Sequence, residues 1–588
     1  MARFKPTGQE GVGIMNRLSS DRSIDAHYDV IIIGAGINGA GAFRELCLQG
    51  LKCLLIDKSD FSSGTSAAPS RLIHGGLKYI ETGEFRLVAE STLERNLLLK
   101  NASHYVKPLP TYVPATSYLK GIIPSLKTFF GWPSSMTSRG AFLIKAGLTI
   151  YDWYGRKERT MPRHKMMFGK NVANIMPALS SKIVALGSYY DALIMQPERL
   201  VLELVEDGLK ASSKSKALNY ASLLSGDKNN VTIHDLISNE KSSAQADTVI
   251  NAAGPWIDTV NAALGEETAF IGGNKGSHIL LDHPELVKIL GNKMVYFEGE
   301  DGRILLAFVY HGNVLAGSTD IPANDPDKTK CTDAEVGYFL DCLRQLFPDL
   351  HLTQSQIVFT YSGIRPLPNA KGLAPGLVSR DHSMPILEKH DHRAYPVLSL
   401  VGGKWTTFRA FSEQICDEVL KRENKQRVIS SKHIAIGGGK NYPETPLAFR
   451  AEIDLLNRKY LIAPDHIENL IRRYGLTKSE AIIKAMSKDE RIKPTLIEGL
   501  LLGEIKWVCH NEMVHHLDDI ILRRSEIVYA GLTGAGLHEL SLVIGQIMNW
   551  TDKKMADEKS RLAKILIDRH GIQWTDKSIK YIPDTNLK

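Results

Sequence analysis

Residues 31–46, IIIGAGINGAGAFREL, run an apolar burst into a cluster of glycines and then into a helical pattern. A buried strand ending in Gly34, Gly36 and Gly39 gives the chain a tight turn, room for a pyrophosphate and close packing of helix on strand. The helix that follows points its N-terminal amides at the phosphates. A second apolar run, Cys53 to Ile56, ends in Asp57, at the spacing where a carboxylate accepts hydrogen bonds from a ribose diol. Strand, glycines, helix, strand and acid in register make a βαβ dinucleotide-binding unit of about thirty residues. A glycine turn serving packing alone explains the helix but not Asp57. These residues leave NAD and FAD both open.

The rest of the chain sets limits on that reading. With 588 residues, 43% hydrophobic and 23% charged, and a mean hydropathy of −0.14, the composition is that of a soluble protein of two or three domains. No uninterrupted apolar run is long enough to span a bilayer, so membrane association is expected to be peripheral. The polar segment before Tyr28 lacks the apolar stretch of a secretory signal, and a cytoplasmic location is expected. Six scattered cysteines with no C-x-x-C pair argue against a disulfide framework or a metal site and suit buried thiols in a reducing compartment. A net charge of +7 fits an anionic substrate or an anionic membrane surface and is too diffuse to imply nucleic acid.

Further along, residues 59–82 are rich in Ser, Gly and Pro and are expected to form a loop lying over something, followed by a helix over 84–100. From Arg95 to Tyr151 there is no Asp or Glu, yet the stretch holds seven Lys or Arg together with aromatic residues. Such a segment, including LKGIIPSLKTFFGWP at 119–133, suits docking on anionic headgroups, and a partly buried structural excursion is the competing reading. Residues 196–212 read as a helix, 217–247 as strands and turns, and 248–256 as a short buried strand stopped by Gly254-Pro255. Strand-like runs between 276 and 320 predict an antiparallel sheet where a substrate floor can be built. LVGGKWTTFR at 400–409 reads as strand, double glycine and helix. A boundary falls near Gly437, giving a unit over 28–435 built from discontinuous subdomains and a separate helical domain over 436–588, after a polar N-terminal extension over 1–27.

Together, VIIIGAGINGAG (30–41), SRLIHGGLKYIETGEFRLV (70–88), NAAGPW (251–256), KGSHILLD (275–282), SGIRPLP (362–368) and GGKWTTFR (402–409) resemble the FAD-dependent glycerol-3-phosphate dehydrogenase family, with weaker support from DDIILRRSEI at 518–527. The resemblance implies an α/β fold: an FAD-binding Rossmann-like domain, an antiparallel-sheet substrate region and a C-terminal helical domain. It also implies FAD as cofactor, glycerol 3-phosphate or a similar polyol phosphate as substrate, quinone as electron acceptor and attachment to the cytoplasmic face of the membrane, with a homodimer left open. On the matching motifs, the cofactor positions are Gly34, Gly36, Asn38, Gly39, Asp57, Ser66, His74, Gly75, Gly254, Gly402, Gly403, Lys404 and Thr406. A helix expected to begin after Gly402-Gly403 would turn amides and a positive dipole end toward a reduced flavin.

The substrate positions implied are Lys78, Tyr79, Arg365, Arg380 and Lys404, since several cations on separate loops can enclose one phosphate. His278 is the candidate general base for the C2 hydroxyl, because a histidine lies near the useful pKa. Arg365 is a second catalytic candidate, stabilising a developing alkoxide. Lys78 replaces the arginine usual in this motif, Asp57 stands where glutamate is commoner, and SAAPSR replaces a loop richer in hydroxyls. The Lys78 change keeps alive a dehydrogenase of a longer polyol phosphate. Two other readings are an oxidase producing hydrogen peroxide, disfavoured by the compact spacing from His278 to Arg365, and a flavin-dependent nucleic-acid-modifying protein, for which the cations would line an open groove rather than converge.

Overall fold

The computed structural model describes residues 21–80, 83–120, 139–369, 380–490, 499–531 and 533–583. Two sheets organise it. In the first, the strands run in the spatial order Ile386–Leu387, Val397–Ser399, Lys241–Asn251, His27–Ile33, Cys53–Ile56, Lys216–Leu218, parallel apart from the first, which is antiparallel to its neighbour. Val30 to Ile32 and Cys53 to Ile56 are fully buried because both faces of this parallel sheet are covered. Ile33 pairs with Ile56 on one side and Asn251 on the other, so the glycine turn, Asp57 and the NAAGPW turn all leave the sheet at its carboxyl edge. That edge is where open α/β sheets bind ligands. The helix Ile37–Leu48 packs between Pro197–Ala211 and Phe408–Arg422.

Among the described residues, a mainly antiparallel ten-stranded sheet contains the strand-like runs between 276 and 320. Its strand Ile271–Leu281 pairs antiparallel with Asn313–Gly317 and with the twelve-residue strand Ile357–Pro368. In that register His278 lies opposite Gly317 and Tyr361, and Asn274 opposite Arg365. The loop of residues 59–82 contains short helical turns at Thr65–Ala67 and Leu77–Ile80 and the strand Leu72–Ile73, and the helix after it spans Phe85–Asn101.

The helix after Gly402-Gly403 starts later than its sequence pattern suggests, at Phe408 with Thr407 at its N-cap. Lys404 to Thr407 form a turn, in which the Trp405 indole N–H donates to the Ser66 carbonyl and holds that residue off the helix axis. The C-terminal part is built of helices Pro446–Tyr460, Pro464–Ala485, Leu502–Asn511, Gly534–Ile547 and Asp552–His570. It closes in a hairpin, Ile572–Thr575 with Ser578–Tyr581, that helical periodicity did not show. These helices share one hydrophobic core with Phe308, Leu315 and Phe359 of the second sheet.

A buried charge network ties this part to the nucleotide-binding unit. Asp60, three residues beyond Asp57 and fully buried, accepts from Arg523 Nε at 2.6 Å and from both terminal nitrogens of Arg524 at 2.8 and 2.9 Å. Burial alone would raise the Asp60 pKa, but Arg524 and Arg523 outweigh it and hold the carboxyl below its ordinary value. Arg199 grips Glu512 through two bonds of 2.7 and 2.9 Å, and Lys478 reaches the same carboxylate.

Candidate active site

At the carboxyl edge of the first sheet a cavity of about 290 Å³ is lined by Gly34, Gly36, Asn38, Asp57, Ser66, Gly254, Gly402, Gly403 and Lys404. Gly34 has φ +102°, and a Cβ there would stand 2.6 Å from the Ala252 carbonyl oxygen. Gly403 has φ +89° and faces Asn38. Both positions favour glycine on backbone grounds alone. The helix Ile37–Leu48 has no side-chain cap at Gly36 and no acid in its first turn, while the Ile37 amide donates to Ser66 Oγ at 2.9 Å. Asp57 accepts from the amides of Ala35 at 2.8 Å and Ser59 at 2.9 Å, which leaves acceptor capacity on both carboxylate oxygens. Burial raises its pKa to about 6 against those two amides. Asn38 Oδ1 is buried without a hydrogen-bond partner among the described residues. Open helix amides, a ribose-type acid and an orphaned buried acceptor suit the dinucleotide part of FAD.

A second cavity of about 490 Å³ adjoins the first, sharing Thr65, Pro366, Gly403, Lys404 and Trp405 as common wall. Lys78, Tyr79, His74, His278, Arg365, Arg380, Lys404 and Thr406 all line it. The long strand delivers Arg365 from one side, and the loop before the first sheet's edge delivers Arg380 from another. Asp320 clamps both: its Oδ1 lies 3.1 Å from Arg365 Nη1 and its Oδ2 3.2 Å from Arg380 Nη2. Arg365 also donates to the Thr319 carbonyl and to Ser318 Oγ. Lys404 Nζ lies 3.7 Å from the Tyr79 ring centroid and donates to Ser91 Oγ.

His278 is 1% exposed, stacks on Tyr361 at 4.8 Å and shares a hydrogen bond of 2.8 Å between its Nε2 and Ser70 Oγ. Space for these groups comes from two glycines. A Cβ on Gly276 would stand 2.2 Å from Arg365 Nη2, and one on Gly317 2.2 Å from the His278 ring.

The electrostatics follow from crowding cations into a buried wall. Burial, and then Arg380, lower the Arg365 pKa to about 10 against the pull of Asp320. Burial lowers Lys404 to about 7, with Glu84 opposing and Arg380 adding. For His278, burial followed by Arg365 and Arg71 holds the ring well below its ordinary pKa, so it is a neutral base. Burial likewise brings His74 to about 4 despite Asp191. A site with this excess of destabilised positive charge is prepared for an anion.

Two residues in the cofactor set stand behind the walls instead of in them. A Cβ on Gly39 would lie 1.8 Å from the Gly34 carbonyl oxygen, which places it in the helix-to-strand contact. The Gly75 amide is directed away, donating to the Tyr151 hydroxyl at 2.8 Å and to Asp191 at 3.2 Å. The His74 amide donates to Thr406 Oγ1 at 3.1 Å, which joins the loop to the GGKWTTFR turn. Sequence reasoning missed Asp320, Ser70, Gly276 and Gly317. The signal for Asp320 was an acid directly after a buried strand, in NVLAGSTD, within the region expected to hold an anion.

Residues 29–407 match the family model described as FAD dependent oxidoreductase, and residues 429–555 match that of the C-terminal domain of alpha-glycerophosphate oxidase. A glycerol-3-phosphate dehydrogenase of Synechocystis is 34% identical over 527 residues, covering 85% of this chain and 89% of its own. An aerobic glycerol-3-phosphate dehydrogenase of Staphylococcus haemolyticus is 28% identical over 544 residues, 90% and 92% of the two chains. Among solved structures, the glycerol-3-phosphate dehydrogenase from Bacillus halodurans complexed with FAD superposes with a TM-score of 0.71 at 21% identity, over 95% of this chain and 97% of that one. The FAD-bound L-alpha-glycerophosphate oxidase of Mycoplasma pneumoniae gives 0.50 at 16% identity, over 69% and 98%. The two structures show likeness of fold.

Proposed function

Because the chain belongs to the FAD-dependent glycerol-3-phosphate dehydrogenase and oxidase family, we propose that it oxidises sn-glycerol 3-phosphate to dihydroxyacetone phosphate and passes the electrons to membrane quinone. The observation that carries this reading is the convergence of Arg365, Arg380, Lys404 and His278 on one cavity that shares a wall with the dinucleotide cavity. Convergence on an enclosed wall, rather than along a groove, favours a small phosphate ester over a nucleic acid.

The glycine turn, Asp57 and the GGKWTTFR turn would hold FAD, which when bound would supply two-electron redox chemistry beside the substrate cavity. The chain's own residues do the rest. Arg365, Arg380 and Lys404 bind the phosphate dianion, and Asp320 fixes the two guanidinium planes before substrate arrives. His278 takes up the C2 hydroxyl proton at Nε2, the atom Ser70 Oγ now holds. Its depressed pKa keeps it unprotonated in the free protein, and a bound dianion raises its basicity.

Lys404 gives this reading a pH test. With its pKa brought down to about 7, its charge is present below that value and lost as pH rises through it. The expected result is that kcat/KM for glycerol 3-phosphate falls by about tenfold per pH unit above pH ~7, as one required proton is lost. Lys404→Met abolishes that limb and lowers the acid-side value. An unchanged alkaline limb in the variant removes Lys404 from the phosphate site. As a further check, glycerol, which lacks the phosphate, is expected to react at least about a thousandfold less efficiently, since charge-assisted contacts contribute several kcal/mol.

Support for an apolar acceptor comes from a third cavity of about 400 Å³, lined by Leu77, Lys78, Ile80, Val113, Phe142, Ile144 and Tyr296. It shares Leu77, Lys78, Tyr296 and Ile304 with the substrate cavity. Its outer wall is the helix Ala141–Tyr154, which starts within the acid-free segment and runs past its end through Asp152, and which exposes Phe142 at 65% and Trp153 at 55%. Exposed Leu119 and Tyr118 lie in the same segment, while residues 121–138 of it fall outside the described residues. Such a face suits an anionic membrane surface. Among the described residues no helix is long and apolar enough to cross a membrane. Phe142→Glu is expected to reduce quinone turnover at least about tenfold, the effect of one charge on an apolar contact. Anaerobic flavin reduction by substrate is expected to stay unchanged. Equal loss in both assays would place Phe142 in folding, and no loss in either would remove this cavity from the acceptor route.

A further inference from the structure

A cavity of about 650 Å³ opens at the seam between the second sheet and the C-terminal helices, and it shares no lining residue with the flavin, substrate or apolar cavities. Lys107, Arg472, Arg473 and Glu526 are its charged lining groups. Arg473 is matched by Glu504 at 2.6 Å and Glu526 at 3.3 Å, and Arg472 by Glu468 at 2.6 Å. Lys107 is different: its Nζ donates to the Ser103 carbonyl at 2.6 Å and stands 4.7 Å from the Tyr442 ring centroid. No carboxylate among the described residues is within ion-pair reach of it. Arg472 stands over the Phe449 ring, which packs against Tyr442 at 5.9 Å. Two cations therefore sit on adjoining aromatic rings with no anion at Lys107.

The cavity also holds polar atoms without partners. Gln196 is 5% exposed and His104 is 2% exposed, and both line the cavity. Gln196 Oε1, His104 Nδ1 and His311 Nε2 are buried without a hydrogen-bond partner among the described residues. Such groups cost free energy unless something meets them. On the far wall, Thr533 and Gly536 begin the helix Gly534–Ile547, whose first turn contains no acid. Thr533 Oγ1 accepts from the Gly536 amide at 3.0 Å, so the helix lends this wall its dipole and not that amide.

We infer that this cavity is a second binding site for a phosphate group, held by Lys107 and Arg472 as charges and by His311 Nε2 as a hydrogen-bond donor, while His104, whose Nε2 is bonded to Glu203, keeps an acceptor nitrogen on that wall. A lysine supplies a compact point charge and an arginine a planar fork, a pairing suited to a tetrahedral oxyanion. Burial, and then Arg472, bring Lys107 down to about 8, a cost that an anion between the two would relieve. The volume exceeds one phosphate and is bordered by Met195, Leu500 and Ile527, leaving room for the organic part of a phosphate monoester. The strand Ala185–Ile194 carries Tyr189 and Asp191 into the substrate cavity, and Met195 and Gln196 directly after it line this one.

The test is equilibrium dialysis of the full-length, FAD-loaded protein with labelled inorganic phosphate. Two sites per chain are expected in the unaltered protein. Arg365→Met, which empties the substrate cavity of its main anion contact, leaves one. In that background Lys107→Met and Arg472→Met each weaken the remaining site by about tenfold or more, the effect of one charge-assisted contact. Half of the Arg472 side chain is exposed, so its variant keeps the test valid should Lys107→Met fail to fold. Methyl phosphate separates the two sources of the group: tighter binding than inorganic phosphate identifies an ester, and weaker binding free phosphate. Binding that vanishes with Arg365→Met, or that both Lys107→Met and Arg472→Met leave unchanged, overturns the inference. Binding lost with Lys107→Met but indifferent to Arg365→Met sustains it and counts instead against the substrate reading.

Discussion

Replacing Arg365 by methionine is expected to lower kcat/KM for glycerol 3-phosphate by about a thousandfold while leaving the FAD content of the purified protein unchanged. Arg365 is the cation that the fold takes most trouble to place. It stands on the long strand Ile357–Pro368, three of its contacts fix the guanidinium on Asp320, Thr319 and Ser318, and Gly276 keeps the space beside it clear. Removing it deletes a two-pronged phosphate contact and leaves Asp320 with one arginine, its negative charge now facing the incoming dianion. Truncating one member of a buried charge pair costs about 2–5 kcal/mol, which spans a thirtyfold to several-thousandfold change. Arg365→Lys should recover only part of the loss, because a lysine restores the charge without the fork. A fall of less than about tenfold would show that the phosphate is held elsewhere.

Arg524→Met is expected to destabilise the protein by up to about 3–5 kcal/mol, the cost of removing one partner from a buried ion network. Both terminal nitrogens of Arg524 bind Asp60, a second set of bonds reaches the Glu512 carbonyl, and all of this is buried. The variant leaves Asp60 with Arg523 and Asn219 alone. Urea unfolding followed by tryptophan fluorescence measures the effect, since Trp507, Trp550 and Trp574 report on the C-terminal part. FAD affinity should weaken with it, because Asp60 lies three residues from Asp57, the acid proposed to meet the ribose. A midpoint within error of the unaltered protein would mean that the seam is held by the shared apolar core instead.

The nucleotide cradle was legible because its parts are local. Glycine turn, helix start and Asp57 fall within 27 residues of one another, and the turn geometry that needs Gly34 is written in the glycine itself. For the cation-lined cavity, the sequence pointed to residue types but not to their arrangement. Arg365, Arg380, Lys404 and His278 come from elements up to 126 residues apart in sequence, and sheet register decides that they meet. Asp320 escaped notice because a lone acid after a strand has no signature until two arginines are seen on it. Gly276 and Gly317 escaped for a related reason: each makes room for a side chain on a neighbouring strand. The late start of the helix at Phe408 reflects the Trp405 contact with Ser66, a pairing 339 residues apart. Helical periodicity showed the C-terminal part, but its attachment through Asp60 and Arg523 spans 463 residues and is invisible to any local pattern.

The most direct test of this assignment is an anaerobic absorbance spectrum of the purified, flavin-loaded protein before and after glycerol 3-phosphate is added, with unbound FAD removed beforehand. Bleaching of the bound flavin is the expected result, and it would join cofactor, substrate and the reductive half-reaction in one observation. A flavin spectrum that glycerol 3-phosphate leaves unchanged would contradict the assignment of Arg365, Arg380 and Lys404 to this substrate.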